Sequence, residues 1–171
     1  GIKSVDDARL LLRSGADKIA INTAAVLEPN LISLLAKEFG KQCVVISIPC
    51  KMNENKKWEV CTNGGREKTG LEVFEWAQKA VSLGAGELLI TSIDKDGLRK
   101  GFDLNLMKKF NEIEDIPIIV SGGLGKPSHV NDLLQISNCE AIATADFLHM
   151  KRGNIQALKN IILKSKFQVR L

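Results

Sequence analysis

Five short, nearly continuous apolar runs punctuate the 171-residue chain: Lys18 to Thr23, Cys43 to Ile48, Leu88 to Ile93, Ile116 to Val120 and Ala141 to Ala145. Runs of this length without polar alternation read as strands buried on both faces of a parallel sheet. Between them the apolar positions recur at helical spacing. In Ser4 to Ser14, Val5, Ala8, Leu11 and Leu12 line one face, Ser4 is placed to cap, and Asp7 follows three residues on. Leu31 to Phe39, Leu71 to Leu83, Leu104 to Asn111, Val130 to Ile136 and Ile155 to Lys164 read the same way. The pattern predicts one α/β domain over residues 1–171 in which strands and helices alternate, with a helix at each end.

Two departures from alternation carry information. Lys51 to Lys68 is polar, with Trp58 to Thr62 alternating like a small strand before Asn63-Gly64-Gly65. That predicts a hairpin excursion above the sheet, and a connection of this length in a compact domain points to function. The sequence also opens in a helix, so the strand that should feed that helix is missing. Five strands cannot close an eight-stranded barrel, whereas an open doubly wound sheet can use five, and spacing alone leaves both standing. Internal similarity favours the barrel. Gly1-Ile2, a helix and then Gly15 to Thr23 can be laid against Gly123-Leu124, a helix and then Cys139 to Asp146. A recurring unit with a glycine turn and a small polar strand end is the mark of a duplicated half-barrel with two equivalent ligand sites. The expected fold is therefore an incomplete TIM (β/α)8 barrel of five parallel strands, with a pairing edge open at the first.

Composition narrows the class. At 44% hydrophobic and 26% charged residues the chain reads as globular rather than disordered. No apolar run approaches the roughly 18 residues of a membrane span, so none is expected. The net charge of +4 is concentrated at the end, where Lys151, Arg152, Lys159, Lys164, Lys166 and Arg170 face no acidic residue. Without interleaved aromatic platforms in that helix, the charges read as a solvated face, and nucleic acid is set aside. Cys43, Cys50, Cys61 and Cys139 fit neither a zinc spacing nor a dense disulfide framework, which suits a reducing cytoplasm. Neither a metal nor a cofactor is expected. Gly1 in place of Met, with no signal-peptide character after it, reads as a cut chain.

In parallel α/β folds ligands lie beyond the carboxyl ends of the strands. There the sequence offers Asn22-Thr23, Thr91-Ser92, Asp94-Lys95-Asp96-Gly97, Ser121-Gly122-Gly123 and Thr144-Ala145-Asp146. Gly122-Gly123 lets backbone N–H groups approach an anion, and the following helix adds its positive end, a phosphate cradle. Asp94 and Asp96 are expected to point the same way, one of them holding a substrate hydroxyl or moving a proton. His129 and His149 read as surface residues, and Cys50 as a small apolar residue rather than a nucleophile.

The runs Gly15 to Ala25, Gly84 to Gly97 and Ser121 to Lys126 resemble the cyclase subunit of imidazole glycerol phosphate synthase, the HisF family, over essentially the whole chain. The resemblance implies a (β/α)8 barrel that receives ammonia from a HisH-like glutaminase subunit. It would join that ammonia to a phosphorylated ribonucleotide, yielding imidazole glycerol phosphate and aminoimidazole carboxamide ribonucleotide for histidine and purine synthesis. It places Gly1, Asn22 and Thr23 at one substrate phosphate, Gly97, Gly122, Gly123 and Ala145 at the other, and Asp96 near the reacting centre. Lys18 and Glu87 match charged residues around the family's ammonia entrance, at the opposite face.

Departures from the family pattern bear on activity. Of the family's two catalytic carboxylates, one belongs to a first strand that the sequence lacks, and the other falls on Pro49, which cannot move a proton. No catalytic residue is intact, and the chain alone is expected to be inactive. Asp146 stands where the family places a phosphate-binding Ser, and a negative charge there should weaken dianion binding. Two alternatives follow: a diverged paralog in amidino-sugar synthesis for surface polysaccharides, again with a glutaminase-type partner, and a non-catalytic scaffold that docks the glutaminase.

Overall fold

The structure, a computed structural model, describes residues 1–113, 116–165, 167 and 169. Its parallel core runs in chain order through β1 (Ile19–Ile21), β2 (Val44–Met52), β5 (Glu87–Ser92), β6 (Ile118–Ser121) and β7 (Ala141–Ala143). Among the described residues the parallel strand order does not reverse, so the sheet has the arrangement of a partial (β/α)8 barrel and not that of a doubly wound sheet. The helices that return the chain are α1 (Val5–Arg13), α3 (Asn30–Phe39), α4 (Val73–Ser82), α5 (Leu104–Phe110), α6 (Ser128–Leu134) and α8 (Ile155–Lys164). Two short helices, α2 (Thr23–Leu27) and α7 (Asp146–His149), follow β1 and β7 directly, where the periodicity gave no helix.

Burial alternates along the strands and identifies their two faces. Ile19 and Ile21 pair with Val44 and Ile46, Ile46 and Ile48 pair with Leu88 and Ile90, and these pair with Ile118 and Val120. These side chains are all buried and face the helices, against Leu35, Trp76, Leu106 and Phe110. Covering each such branched side chain contributes roughly 2 kcal/mol. The intervening residues Ala20, Ser47, Pro49, Leu89, Thr91, Ser121 and Ala143 share the opposite face and are at least partly exposed, whereas Val45 on that face is buried.

The excursion is a true hairpin of β3 (Trp58–Thr62) and β4 (Glu67–Glu72), antiparallel to each other and docked on β2. It requires one correction to the strand bounds. β2 runs on through Pro49, Cys50 and Lys51 to Met52, because its last three residues pair with Trp58, Glu59 and Val60. Pro49 sits within it without losing a ladder bond. Cys50 directs its carbonyl to Ile93 on the β5 side, so the N–H that proline lacks falls on the other edge. There β1 has already ended and β3 has not begun.

Capping follows local chemistry. Ser4 and Asp7 form the reciprocal box at α1, Asp103 caps α5 by accepting from Leu106 N, and Asn154 caps α8 through Ala157 N. Of the basic tail, Lys166 and Arg170 lie outside the described residues. Among the described residues no helix is long and apolar enough to cross a membrane.

Candidate functional site

Beyond β5, β6 and β7, two loops interlock through their backbones. Gly122 and Gly123 take φ of 90° and 106°, and neither has room for a side chain. A Cβ on Gly122 would stand 2.7 Å from Ser92 O, and one on Gly123 would collide with the carbonyl of Gly101, whose own N–H donates to Gly123 O at 2.9 Å. Both requirements, left-handed backbone and close approach, demand glycine.

Together with Gly97, Ala145 and Asp96, this glycine pair lines a cavity of about 170 Å³. Among the described residues, the N–H groups of Gly97, Gly122, Gly123 and Ala145 donate to no backbone carbonyl or side chain. Gly122 and Gly123 are buried, where an unpaired N–H is costly, so the loop pair presents donors suited to an oxyanion. The donors come from the loops, since α6 is two turns long and begins only at Ser128, five residues beyond Gly123.

Asp146 opens α7 but does not cap it. Its carboxylate accepts two hydrogen bonds from Arg99, Nε at 2.9 Å and Nη2 at 3.0 Å, and meets Arg152 Nε at 3.4 Å. The Arg99 guanidinium holds the Asp146 carboxyl below its ordinary range, with Arg152 adding to the effect. Arg99 adopts a left-handed φ of 62°, uncommon for a residue with a side chain. The sequence reading missed both arginines. Proximity to Asp96-Gly97 was a usable signal for Arg99; for Arg152, beyond α7, there was none.

The paired carboxylates do not act as a pair. The strand ends at Ser92, so alternation no longer governs the turn that follows. Asp94 is committed to Met52 N at 2.7 Å, tying the hairpin to β5. Asp96 is exposed at the cavity, and its carboxylate has no partner among the described residues. Ser92 is also diverted. Asp103 accepts from Ser92 Oγ at 3.2 Å and from Trp58 Nε1 at 3.1 Å, while Lys109 lies over the Trp58 and Phe74 rings.

At the end of β1 a second, more open groove of about 800 Å³ gathers Gly1, Asn22 and Thr23 with Ser47, Pro49 and Asn63. Asn22 Nδ2 donates to Ser47 O and Cys61 O, each at 3.1 Å, and Thr23 Oγ1 accepts from Asn63 N at 3.0 Å. The hairpin turn is thus fastened over the end of β1. On the far side of the sheet, where the strands begin, Lys18 and Glu87 form an ion pair.

Three single residues complete the inventory. Cys50 is fully buried, and burial, with Asp103 adding, pushes its thiol far above the ordinary range, so it is inert. His129 corrects the surface expectation: it is 7% exposed, accepts from Gly125 N at 3.2 Å, and burial lowers its pKa. His149 lies in the last turn of α7 and is exposed. A larger groove of about 970 Å³ between β7 and α8 is walled mainly by apolar side chains such as Leu158 and Ile162, and meets the glycine cavity at Ala143 and Thr144.

Comparison with known proteins places these features in context. Residues 1–154 match the family described as "Histidine biosynthesis protein". The chain is 45% identical over 172 residues to the imidazole glycerol phosphate synthase subunit HisF of Clostridium botulinum (strain Langeland / NCTC 10281 / Type F), an alignment covering 100% of this chain and 68% of that protein. Against the subunit HisF of Lachnoclostridium phytofermentans the identity is also 45%, covering 100% of this chain and 67% of the relative. The Legionella pneumophila subunit HisF is 56% identical over 131 residues, 77% of this chain and 62% of the relative.

Proposed function

Because the chain belongs to the family of imidazole glycerol phosphate synthase HisF subunits, we propose that its strand-end face binds the two phosphates of a phosphorylated ribonucleotide. On this reading its opposite face admits ammonia from a HisH-like glutaminase subunit. The observation that carries the reading is the set of unpaired amides of Gly97, Gly122, Gly123 and Ala145 around one small cavity. A phosphate offers oxygens to several donors at once, which matches that set better than any ligand of another class.

In this role Gly1, Asn22 and Thr23 take the second phosphate, and Asp96, free of other partners, holds a substrate hydroxyl near the reacting centre. Lys18 and Glu87 form the charged entrance for ammonia. A pair of that kind, with Lys18 about half exposed, contributes only ~0–1 kcal/mol to stability, so its place at the strand starts fits a passage better than a brace. No proton-transfer carboxylate stands at the end of β2, where Pro49 occupies the inner face. The chain therefore binds substrate without converting it. The same departure, together with Asp146, supports the second reading, a diverged paralog serving amidino-sugar synthesis.

The test is calorimetric titration with the phosphoribulosyl-formimino ribonucleotide, followed by an assay with ammonium as the nitrogen source. Saturable binding without turnover is the expected result. Absence of binding by folded protein overturns the phosphate assignment, and ammonia-dependent turnover overturns the assignment of Pro49 as a catalytic vacancy.

A further inference from the structure

Arg99, Asp146 and Arg152 form a three-member cluster in which one carboxylate serves two guanidinium groups. Arg99 and Asp146 both line the cavity that holds the unpaired amides. Resting on the phosphate reading above, we propose that Arg99 is a phosphate ligand held in reserve. Asp146 is then the internal competitor that sets the affinity of the cradle for a phosphate monoester.

Geometry supports this in three ways. Both oxygens of Asp146 are engaged by Arg99, in the two-pronged arrangement that a phosphate would make with the same guanidinium. A phosphate at the neighbouring amides would present those prongs with equivalent acceptors. Arg99 is also fixed at its backbone rather than its tip. Its left-handed φ and the packing of its carbonyl against Gly125, which leaves no room for a Cβ there, carry the side chain to the rim. Functional sites are where such uncommon backbone is retained.

Arg152 makes the exchange feasible. Its Nε stands 3.4 Å from the Oδ2 that also accepts from Arg99 Nε. When Arg99 turns to the ligand, Asp146 keeps a cationic partner and is not left uncompensated. The arrangement is a hand-off between two arginines rather than the rupture of a lone pair. All three side chains are partly exposed, so their mutual attraction is moderated by water and a dianion can compete with it. A carboxylate tied to one arginine in a dry interior would not release it.

The experiment is titration of the full chain with inorganic phosphate and with ribose 5-phosphate at constant ionic strength, using wild type, Asp146→Asn, Arg99→Gln and the double variant. Thermal melts establish that each is folded, and Asp146→Ser serves as a second probe of the same position. Asp146→Asn is expected to bind phosphate about tenfold more tightly, equivalent to about 1.4 kcal/mol. Arg99→Gln is expected to bind more weakly than wild type. In the double variant the gain disappears, a coupling that charge removal alone would not produce. Unchanged affinity in both Asp146 variants overturns the proposal while leaving the cradle standing. A gain that survives loss of Arg99 also overturns it, since Asp146 would then act by repulsion alone. No binding by any folded variant overturns both the proposal and the cradle on which it rests.

Discussion

The junctions that follow β1 and β7 share a backbone plan and differ in how they are anchored. Each is a three-residue strand, a cap residue whose side chain makes no capping bond, and a short helix, with Thr144 added between strand and cap after β7. The caps have similar backbones, φ −133° and ψ −84° at Asn22 against φ −115° and ψ −60° at Ala145. The next residue is a hydroxyl in one case and a carboxylate in the other. Thr23 is held by the hairpin turn through Asn63, whereas Asp146 is held by two arginines. The two junctions thus share the backbone geometry that presents amides at a strand end and differ in charge. The two strand ends, alike in backbone and unlike in charge, are expected to differ in anion affinity.

The largest effect that tests this comparison is at the glycines. Gly123→Val meets both a left-handed φ and the Gly101 carbonyl, and should destabilise the protein by about 3 kcal/mol or more. Gly1, its counterpart by sequence, has open space around it, so Gly1→Ala should change stability by less than ~0.5 kcal/mol. Urea unfolding midpoints distinguish the two. Asn22→Ala comes next, because it strips partners from the carbonyls of Ser47 and Cys61. A loss of about 1–3 kcal/mol is expected in the same measurement, and a negligible loss would show that the hairpin is fastened elsewhere.

Transplanting the charge sharpens the contrast. Among the described residues lining the groove at the end of β1, Lys3 is the only cationic side chain, with no arginine to absorb a carboxylate. Thr23→Asp should therefore weaken phosphate binding at that end by about tenfold, readable by titration. A smaller effect is expected from His129. Burial lowers its pKa in the folded protein, so as pH falls below about 6.5 the unfolded chain takes up the proton first. Stability is full above that pH and declines below it, and His129→Gln should flatten the slope. Smallest of all is Glu87→Gln, expected to change stability by only ~0–1 kcal/mol because Lys18 remains half exposed.

The parallel core was legible because strands buried on both faces leave continuous apolar runs, and four of the five runs mark their strands to within two residues. β2 was cut short at Pro49, since a proline ends a strand by local rule and only the positions of β1 and β3 show that its N–H is dispensable. The short helices α2 and α7 have too few residues to display a period. The glycine cradle was readable because the left-handed backbone of Gly122-Gly123 is a local requirement, although the close approach of Ser92 O and of the Gly101 carbonyl is not. The commitments of Asp94 to Met52 and of Ser92 to Asp103 were not, because each depends on a partner from another part of the chain. The same holds for Asp146, whose partners are 47 residues back and six ahead.

The central claim is that the amides at the strand ends form an anion site, and a residue-resolved amide NMR titration of the full chain with ribose 5-phosphate tests it most directly. The account predicts saturable shifts centred on Gly97, Gly122, Gly123 and Ala145, with a second group at Asn22 and Thr23 and none at Lys18 or Glu87. Shifts centred on Lys18 and Glu87, or no saturable shifts in folded protein, would contradict it.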